Sequence, residues 1–434
     1  MSGKIISFFG IFCLVGIAWL MSTDRRAIKW RPVIWGVALQ MGFGMIILLP
    51  KTGEKLFEWV DIGVNKLLSF SQAGSRFLFQ SLVPHDIVVY DDLGDAVAQT
   101  FIGGGALSPP VQTFAFWILP TVIFFSGLMA VLYHYGVMQV LVNAFAKLMQ
   151  KTMGTSGAES LSAAANIFVG QTEAPLVVRP FVNKMTMSEL NAVMVGGFAT
   201  VAGAVMAIYV GILPMIEGIA GHLVMASIMS APAALAIAKV MIPEKEVSAS
   251  IGDTRITIER PDVNGLEALT RGTLEGLKLC LNIAAMLLVF VAMVAMCNAL
   301  LGTVGNLFNI EDLTLEGILG WLFSPLAFLM GIPWAEAQVV GTLLGEKMVL
   351  TELIAFLDFS AIQNGPNPLS DRSAVITSYA LCGFANFASI GIQIGGIGGL
   401  APERRGDLAR VGMRAMIGGT LAAMMTGAVA GVLY

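Results

Sequence analysis

Two short polar segments interrupt otherwise apolar sequence, and each carries a carboxylate. The first reads Gly170-Gln171-Thr172-Glu173-Ala174-Pro175. Gln171 offers amide donors and an acceptor and Glu173 offers acceptors only, a set suited to a ligand with mixed amide-like edges such as a nucleobase. Gly170 permits an unusual turn, and Pro175 presets the direction of a new half-helix without wasting an N–H. The second segment is Thr351-Glu352, where a carboxylate can accept paired hydrogen bonds from vicinal hydroxyls, as on a ribose. Plainer uses compete: Thr172 and Glu173 can cap a helix, and Glu352 can pair with Lys347, which lies five residues earlier and is poorly placed for it on a straight helix.

Three further polar points accompany them. Thr200 stands in "GGFATVAGAV" (196–205), an arrangement that marks either an unwound stretch or a threonine bonded back to its own helix. Asn386 and Ser389 lie three apart in "CGFANFAS" (382–389), on one helical face, where they serve a ligand or hydrogen-bond between helices. Asn166 precedes Gly170 by four residues, at the end of the first half-helix. Its side-chain oxygen and carbonyls freed nearby can hold a hard cation such as Na⁺.

The elements that position these groups follow from composition. Of 434 residues, 56% are hydrophobic and only 12% charged, about half the usual charged share of roughly 25%, so a water-facing surface cannot be made. The chain reads as an all-α polytopic membrane protein embedded in a lipid bilayer. With net charge −4 and no basic cluster, no nucleic-acid partner is expected. Cys13, Cys280, Cys297 and Cys382 are scattered in apolar runs and read as small hydrophobes; His85, His134 and His222 stand apart, which argues against zinc. Residues 5–20 lack a following cleavage pattern, and "STDRRAIKWR" reads as an anchor instead.

Eight stretches have spanning character: 4–22, 31–50, 113–138, 188–212, 217–242, 278–302, 373–398 and 410–432. Arginines and lysine cluster at 25–31 and arginines again at 404–410, while 51–110 carries seven acids against four bases. The positive-inside rule then puts 23–30 and 400–409 in the cytoplasm and both termini outside. The crossing count closes only if 157–186 and 335–362 do not cross. Both hold charges that are expensive at mid-bilayer, so each reads as a re-entrant hairpin of two half-helices meeting at a polar tip. Around them the order repeats: an amphipathic piece (141–153 or 312–331), a hairpin and two spans, starting once inside and once outside. Inverted repeats with broken helices are a secondary-transporter signature. Residues 243–277 read as a connecting loop.

"GQTEAPL" (170–176), Gly345-x-Lys347-x-x-x-Thr351-Glu352 and "SYALCGFANFASIGIQIGGIGGLAPERR" (378–405) resemble the concentrative nucleoside transporters over roughly residues 140–430. The resemblance implies a homotrimer of eight-span protomers with two re-entrant helical hairpins, each moving a transport subdomain against a scaffold subdomain. It implies nucleoside binding with the base at Gln171, Thr172 and Glu173, Val205 alongside, and the ribose at Glu352, Asn386 and Ser389, with Phe384 nearby. It implies a Na⁺ site at the side chains of Asn166 and Thr200 and the carbonyls of Val169 and Val201. The family's second tip usually reads Asn-Glu-Phe-Val-Ala, whereas this chain has Thr351-Glu352-Leu353-Ile354-Ala355. The first tip resembles that of broad or sodium-coupled members rather than those that have Ser before Glu and use protons.

The expected organisation is therefore N-terminal scaffold helices (1–140), a first repeat (141–242), a cytoplasmic loop and scaffold helix (243–311) and a second repeat (312–434). The expected function is Na⁺-coupled nucleoside import across a bacterial inner membrane by an elevator-type mechanism, with no organic cofactor. Proton coupling through Glu173 or Glu352 is the alternative. A membrane-embedded enzyme acting on a nucleotide or lipid-linked substrate is the rival from another class, disfavoured because no Cys/His nucleophile pair, metal cluster or phosphate-cradling lysine loop is present.

Overall fold

The computed structural model describes residues 2–48, 53–79, 87–90, 96–100, 113–250, 262–308 and 313–434. Ser2–Leu20 (α1) and Trp30–Leu48 (α2) are joined through a 3₁₀ turn at Arg25–Ala27, capped by Asp24, which accepts from the Arg26 N–H at 3.0 Å. Gly53–Phe79 (α3) follows. Ile87–Tyr90 (β1) and Ala96–Thr100 (β2) form an antiparallel ladder. A π turn over Phe114–Ile118 leads into Leu119–His134 (α4).

Two runs of similar order make up most of the remainder. The first is Val137–Met153 (α5), Gly157–Asn166 (α6), a 3₁₀ turn at Ala174–Val178 with Arg179–Val182 (α7), a helix broken into Met187–Ala199 (α8) and Gly203–Ile212 (α9), and Ile219–Met241 (α10). Gly265–Phe308 (α11) separates it from the second. That run is Leu315–Leu329 (α12), Trp334–Val349 (α13), Glu352–Asn364 (α14), a broken helix of Asp371–Leu381 (α15) and Phe387–Leu400 (α16), and Arg405–Leu433 (α17).

Several expectations need correction. Among the described residues, six helices are long and apolar enough to span a bilayer, or seven if the pair α12 and α13, bent by 117°, counts as one. The expected span 373–398 is two half-length helices; the stretch 188–212 keeps its spanning length and is unwound at Thr200, one of the two readings of that segment. The fold is all-α apart from the short β1–β2 ladder in the acidic stretch; α3, amphipathic rather than apolar, was missed there. Residues 265–277 are not loop but the first turns of α11. His85, residues 49–50, the loop centre 251–261 and residues 309–312 lie outside the described residues.

Burial separates the helices into two kinds. In their apolar windows α8–α9, α10 and α17 are 89%, 89% and 83% buried, whereas that of α11 is only 6% buried. The first three form the core, with Tyr209, Phe198 and Met194 fully enclosed. An apolar helix left bare over such a length is stable only against lipid or another protein surface.

Hydrogen bonds and ion pairs gather at the two ends of α1. At its C-terminal end, Thr23 N–H donates to Met241 O at 3.0 Å, and Asp24 meets Lys245 at 2.7 Å. The Lys245 ammonium holds the half-buried Asp24 carboxyl below the usual carboxylate range. At the same end, Arg404 donates to the carbonyls of Val182 (3.0 Å) and Met185 (2.8 Å). Lys239, buried, pairs with Glu159 at 2.6 Å and with Glu244 at 3.4 Å, and donates to Ser188 Oγ at 3.0 Å. Thr186 donates to Glu244 at 2.8 Å. Capping boxes begin α6 (Ser156 with Glu159) and α8 (Thr186 with Glu189). Ser250 accepts from the Ala158 N–H at 3.1 Å and Ser248 donates to Glu189. Through the buried Ser248 and Ser250, the otherwise largely exposed segment 243–250 thus clasps two helix N-termini, an account the sequence alone did not supply.

At the N-terminal end of α1, Ser7 donates to Met330 O at 2.8 Å and Arg372 donates to Gly331 O and, at 2.6 Å, to Gly431 O. Ser370 closes onto Glu336 through its N–H (3.3 Å) and hydroxyl (3.0 Å). The segment 157–186 therefore leaves and returns at one end of α1, and 335–370 leaves and returns at the other.

Lys239→Met leaves the buried Glu159 carboxylate without its cation and is expected to destabilise the protein by about 3–5 kcal/mol. Lys239→Met combined with Glu159→Gln should recover much of the loss; thermal unfolding of the purified variants checks both.

Candidate binding site

The two broken helices meet at their breaks. Gly383 has φ +139°, and a Cβ placed there would stand 2.9 Å from the carbonyl oxygens of both Phe198 and Ala199. Only glycine adopts that conformation and allows that backbone approach. The result is a polar seam where α8 ends, α15 ends and α16 begins, and both tips reach it.

The second tip is the two-residue gap between α13 and α14. Thr351 is the N-cap of α14, its Oγ1 accepting from the Ile354 N–H at 3.4 Å. This gives the departure from the family's asparagine a local purpose, since a hydroxyl retains the cap. Glu352 opens α14 and is buried. Its Oε2 accepts from Asn386 Nδ2 at 2.9 Å and its Oε1 from the Tyr209 hydroxyl at 3.0 Å. Tyr209 is itself fixed by stacking on Phe356, with ring centroids 4.1 Å apart and planes at 19°. Lys347, buried, donates to Ala380 O at 2.8 Å, covering a carbonyl in the last turn of α15. Ser389 lies in the first turn of α16, but Asn386 does not occupy the expected position on a helical face. Asn386 is the extended N-cap of α16, its Oδ1 accepting from the Ser389 N–H at 2.8 Å, so the spacing of three is a capping spacing.

The first tip reaches α16 through Gln171, which is buried and donates from Nε2 to Ser389 Oγ at 3.0 Å. Its Oε1 accepts from Gln393 Nε2 at 3.0 Å. Thr172 is half-buried with its methyl towards Gly396. Glu173 is exposed, turns back over Gly170 and makes no side-chain cap to the following 3₁₀ turn. Val205 is buried in the first turns of α9, and Phe384 is half-buried within the second break. Gln171, Glu352, Asn386 and Ser389 are therefore joined by hydrogen bonds, while Thr172, Glu173, Val205 and Phe384 line the neighbouring backbone.

The four residues expected at the cation cluster where the first tip meets the first break. Thr200 Oγ1 donates to Gly196 O at 2.8 Å, the back-bonding geometry, which leaves its oxygen lone pairs available. Asn166 packs against the same Gly196, donates from Nδ2 to Ser162 O at 3.1 Å, and has a fully buried Oδ1 with no hydrogen-bond donor among the described residues. Gly203 N–H donates to Phe168 O at 3.1 Å, tying the chain that carries Val169 to the break that carries Val201, and Ser227 of α10 donates to Ile167 O at 2.8 Å. A buried acceptor without a donor beside neutral oxygens fits a monovalent hard cation. No cluster of three or more His, Cys, Asp or Glu in metal-holding geometry occurs among the described residues.

Sequence reasoning passed over Tyr209 and Gln393. Both are single polar side chains inside apolar helices, where burial in a membrane protein demands a partner. That signal was present, but the partners lie 143 and 222 residues away, beyond any spacing rule.

Comparison with known proteins places these features in a wider set. Family models described as Na⁺ dependent nucleoside transporter C-terminus and N-terminus match residues 222–431 and 9–82, and one described as nucleoside recognition matches 115–216. An uncharacterised transporter of Haemophilus influenzae is 41% identical over 98% of this chain and 97% of its own length. Sodium/nucleoside cotransporter 1 of Rattus norvegicus is 38% identical over 99% of this chain, which spans 64% of that longer protein. The transporter CNTnw in an inward-facing substrate-bound state superposes with a TM-score of 0.86 at 41% identity, covering 99% of this chain and 98% of that one. A double variant of CNTnw in an outward-facing state superposes with a TM-score of 0.87 at 40% identity, covering 100% and 98%.

Gly383→Ala forces a disfavoured φ and a backbone clash, a cost of about 1–3 kcal/mol from strain alone. A clear fall in unfolding temperature is expected, whereas Gly16→Ala, which meets nothing within 4 Å, should leave it nearly unchanged.

Proposed function

The chain belongs to the Na⁺-dependent nucleoside transporter family, and on that premise we propose that it imports nucleosides by Na⁺ symport. It is a multi-pass membrane protein, and the similar proteins named above are transporters rather than enzymes. The observation that carries the reading is the continuous line of hydrogen bonds from Tyr209 through Glu352, Asn386 and Ser389 to Gln171. It joins a carboxylate suited to a diol and an amide suited to a base across one small seam.

In this reading each Glu352 oxygen, already accepting one bond, retains a lone pair for the ribose 2′- and 3′-hydroxyls. Asn386 and Ser389 complete the sugar contacts beside Phe384. Gln171, Thr172 and Glu173 face the base, with Val205 against its plane. Na⁺ is co-substrate, held by Asn166 Oδ1, Thr200 Oγ1 and the carbonyls of Val169 and Val201. Filling the buried Asn166 acceptor orders the first tip against the first break, which raises nucleoside affinity; by linkage, nucleoside then tightens Na⁺ by the same factor.

Segments 157–186 and 335–362 act as re-entrant hairpins entering from opposite faces, within inverted repeats 141–242 and 312–434. Their closure at opposite ends of α1 supports that assignment. Residues 1–140 and 243–311 form the scaffold, and the bare apolar length of α11 supports a homotrimer. The repeats move against this scaffold as an elevator, and residues 23–30, 243–250 and 400–409, which share one end, face the cytoplasm of a bacterial inner membrane. Both termini are then periplasmic.

Uridine uptake into proteoliposomes tests the coupling. Accumulation under an inward Na⁺ gradient, abolished by choline at fixed pH, is the expected result; accumulation driven by an inward H⁺ gradient and indifferent to Na⁺ would overturn it. Glu352→Ala tests the site. Uridine affinity should fall about 10- to 100-fold, the worth of losing charge-assisted hydrogen bonds, while 2′,3′-dideoxyuridine, lacking both hydroxyls, should lose little beyond its already weak binding.

A further inference from the structure

Gln393 is fully buried in α16, and three hydrogen-bonding facts about it interlock. Its Nε2 donates to Met194 O, a backbone carbonyl of α8, at 3.2 Å and to Gln171 Oε1 at 3.0 Å. Its own Oε1 is buried and has no donor among the described residues. Gly197, one turn on from Met194, leaves the room: a Cβ there would stand 2.9 Å from both Gln171 Cβ and Gln393 Nε2.

The orientation of a carboxamide is ambiguous by shape, but not here. A main-chain carbonyl only accepts, so Met194 O compels Gln393 to turn its NH₂ group towards α8. That NH₂ group also faces Gln171, so Gln171 must answer with its oxygen. The Gln171 NH₂ group is then directed away, to Ser389 Oγ. Reversing Gln171 would set two NH₂ groups against each other and strand a donor in a buried site, which is costly.

We propose that Gln393 is a positioning residue that fixes the polarity of the Gln171 amide and thereby sets the base preference of the transporter. The inference rests on the reading of Gln171 as a base contact. With its oxygen engaged by Gln393, Gln171 presents an N–H to the ligand and selects a base offering an acceptor there. Uracil, with a keto oxygen at position 4, is favoured over cytosine, which offers an amino group at the same position. The polarity originates in a backbone carbonyl two hydrogen bonds from Gln171 and three from the ligand, so it is a property of helix placement rather than of the tip alone.

The test is equilibrium binding of uridine and cytidine to the purified full-length protein in saturating Na⁺. The parent is expected to favour uridine by about fivefold or more, the order of discrimination one hydrogen bond provides. Gln393→Met keeps the length of the side chain but frees Gln171 to rotate, so the preference should collapse towards unity, with the Na⁺ concentration for half-maximal binding unchanged. Gln393→Asn, too short to span Met194 and Gln171 together, should do the same. An unchanged preference in either folded variant, or no preference in the parent, overturns the proposal, as does failure of both variants to fold, which would assign Gln393 to packing. Gln171→Ala separates the two levels. If it abolishes the preference while Gln393→Met does not, only the positioning role falls; if it leaves the preference intact, the base contact itself is wrong.

Discussion

Unpaired backbone at two helix breaks is the constraint on which this molecule is organised. Interrupting a helix inside an apolar protein exposes carbonyls on one side of the gap and N–H groups on the other, and no water is at hand to satisfy them. The chain answers with specific residues. Lys347 covers Ala380 O, Gly203 N–H reaches Phe168 O, and Asn386 caps the Ser389 N–H. Each answer comes from, or leads to, a tip. The groups that repair the backbone therefore adjoin the groups to which the proposed nucleoside contacts are assigned, and the polar seam is a consequence of how the breaks are mended.

Charge is distributed accordingly. The charged groups, Lys239 with Glu159 and Glu244 at one end and Arg372 over the carbonyls of Gly331 and Gly431 at the other, sit at the ends of the bundle. Between them the seam is built almost wholly of neutral amides, hydroxyls and carbonyls, with the Glu352 carboxylate as its buried anion. A neutral cage around the Asn166 acceptor would offer the proposed Na⁺ dipoles rather than a counter-charge.

How much of this was legible beforehand depended on range. Gln171, Glu352, Thr200 and Asn166 announced themselves because polar residues in apolar runs are costly, and the order of hairpin and broken helix could be counted along the chain. Asn386 and Ser389 were found for the wrong local reason, since a spacing of three serves an N-cap as well as a helical face. Tyr209 and Gln393 were invisible as partners because their contacts are set by how α9 and α16 pack against the tips. The clasp at 243–250 lacked any signal, as its serines act only through helix N-termini that folding delivers to them.

The length of α11 has a geometric consequence. Its 44 residues rise about 1.5 Å each, roughly 66 Å in all, against a hydrocarbon thickness of about 30 Å. Upright, such a rod would project far beyond the bilayer at one or both faces; inclined, it would sweep sideways across a broad footprint of membrane. Its first turns carry Glu267, Arg271, Glu275 and Lys278, so that end belongs in the headgroup layer or the aqueous phase. A helix of that length, longer than the membrane is thick, ties the depth of the protein in the bilayer to the placement of its charged first turns.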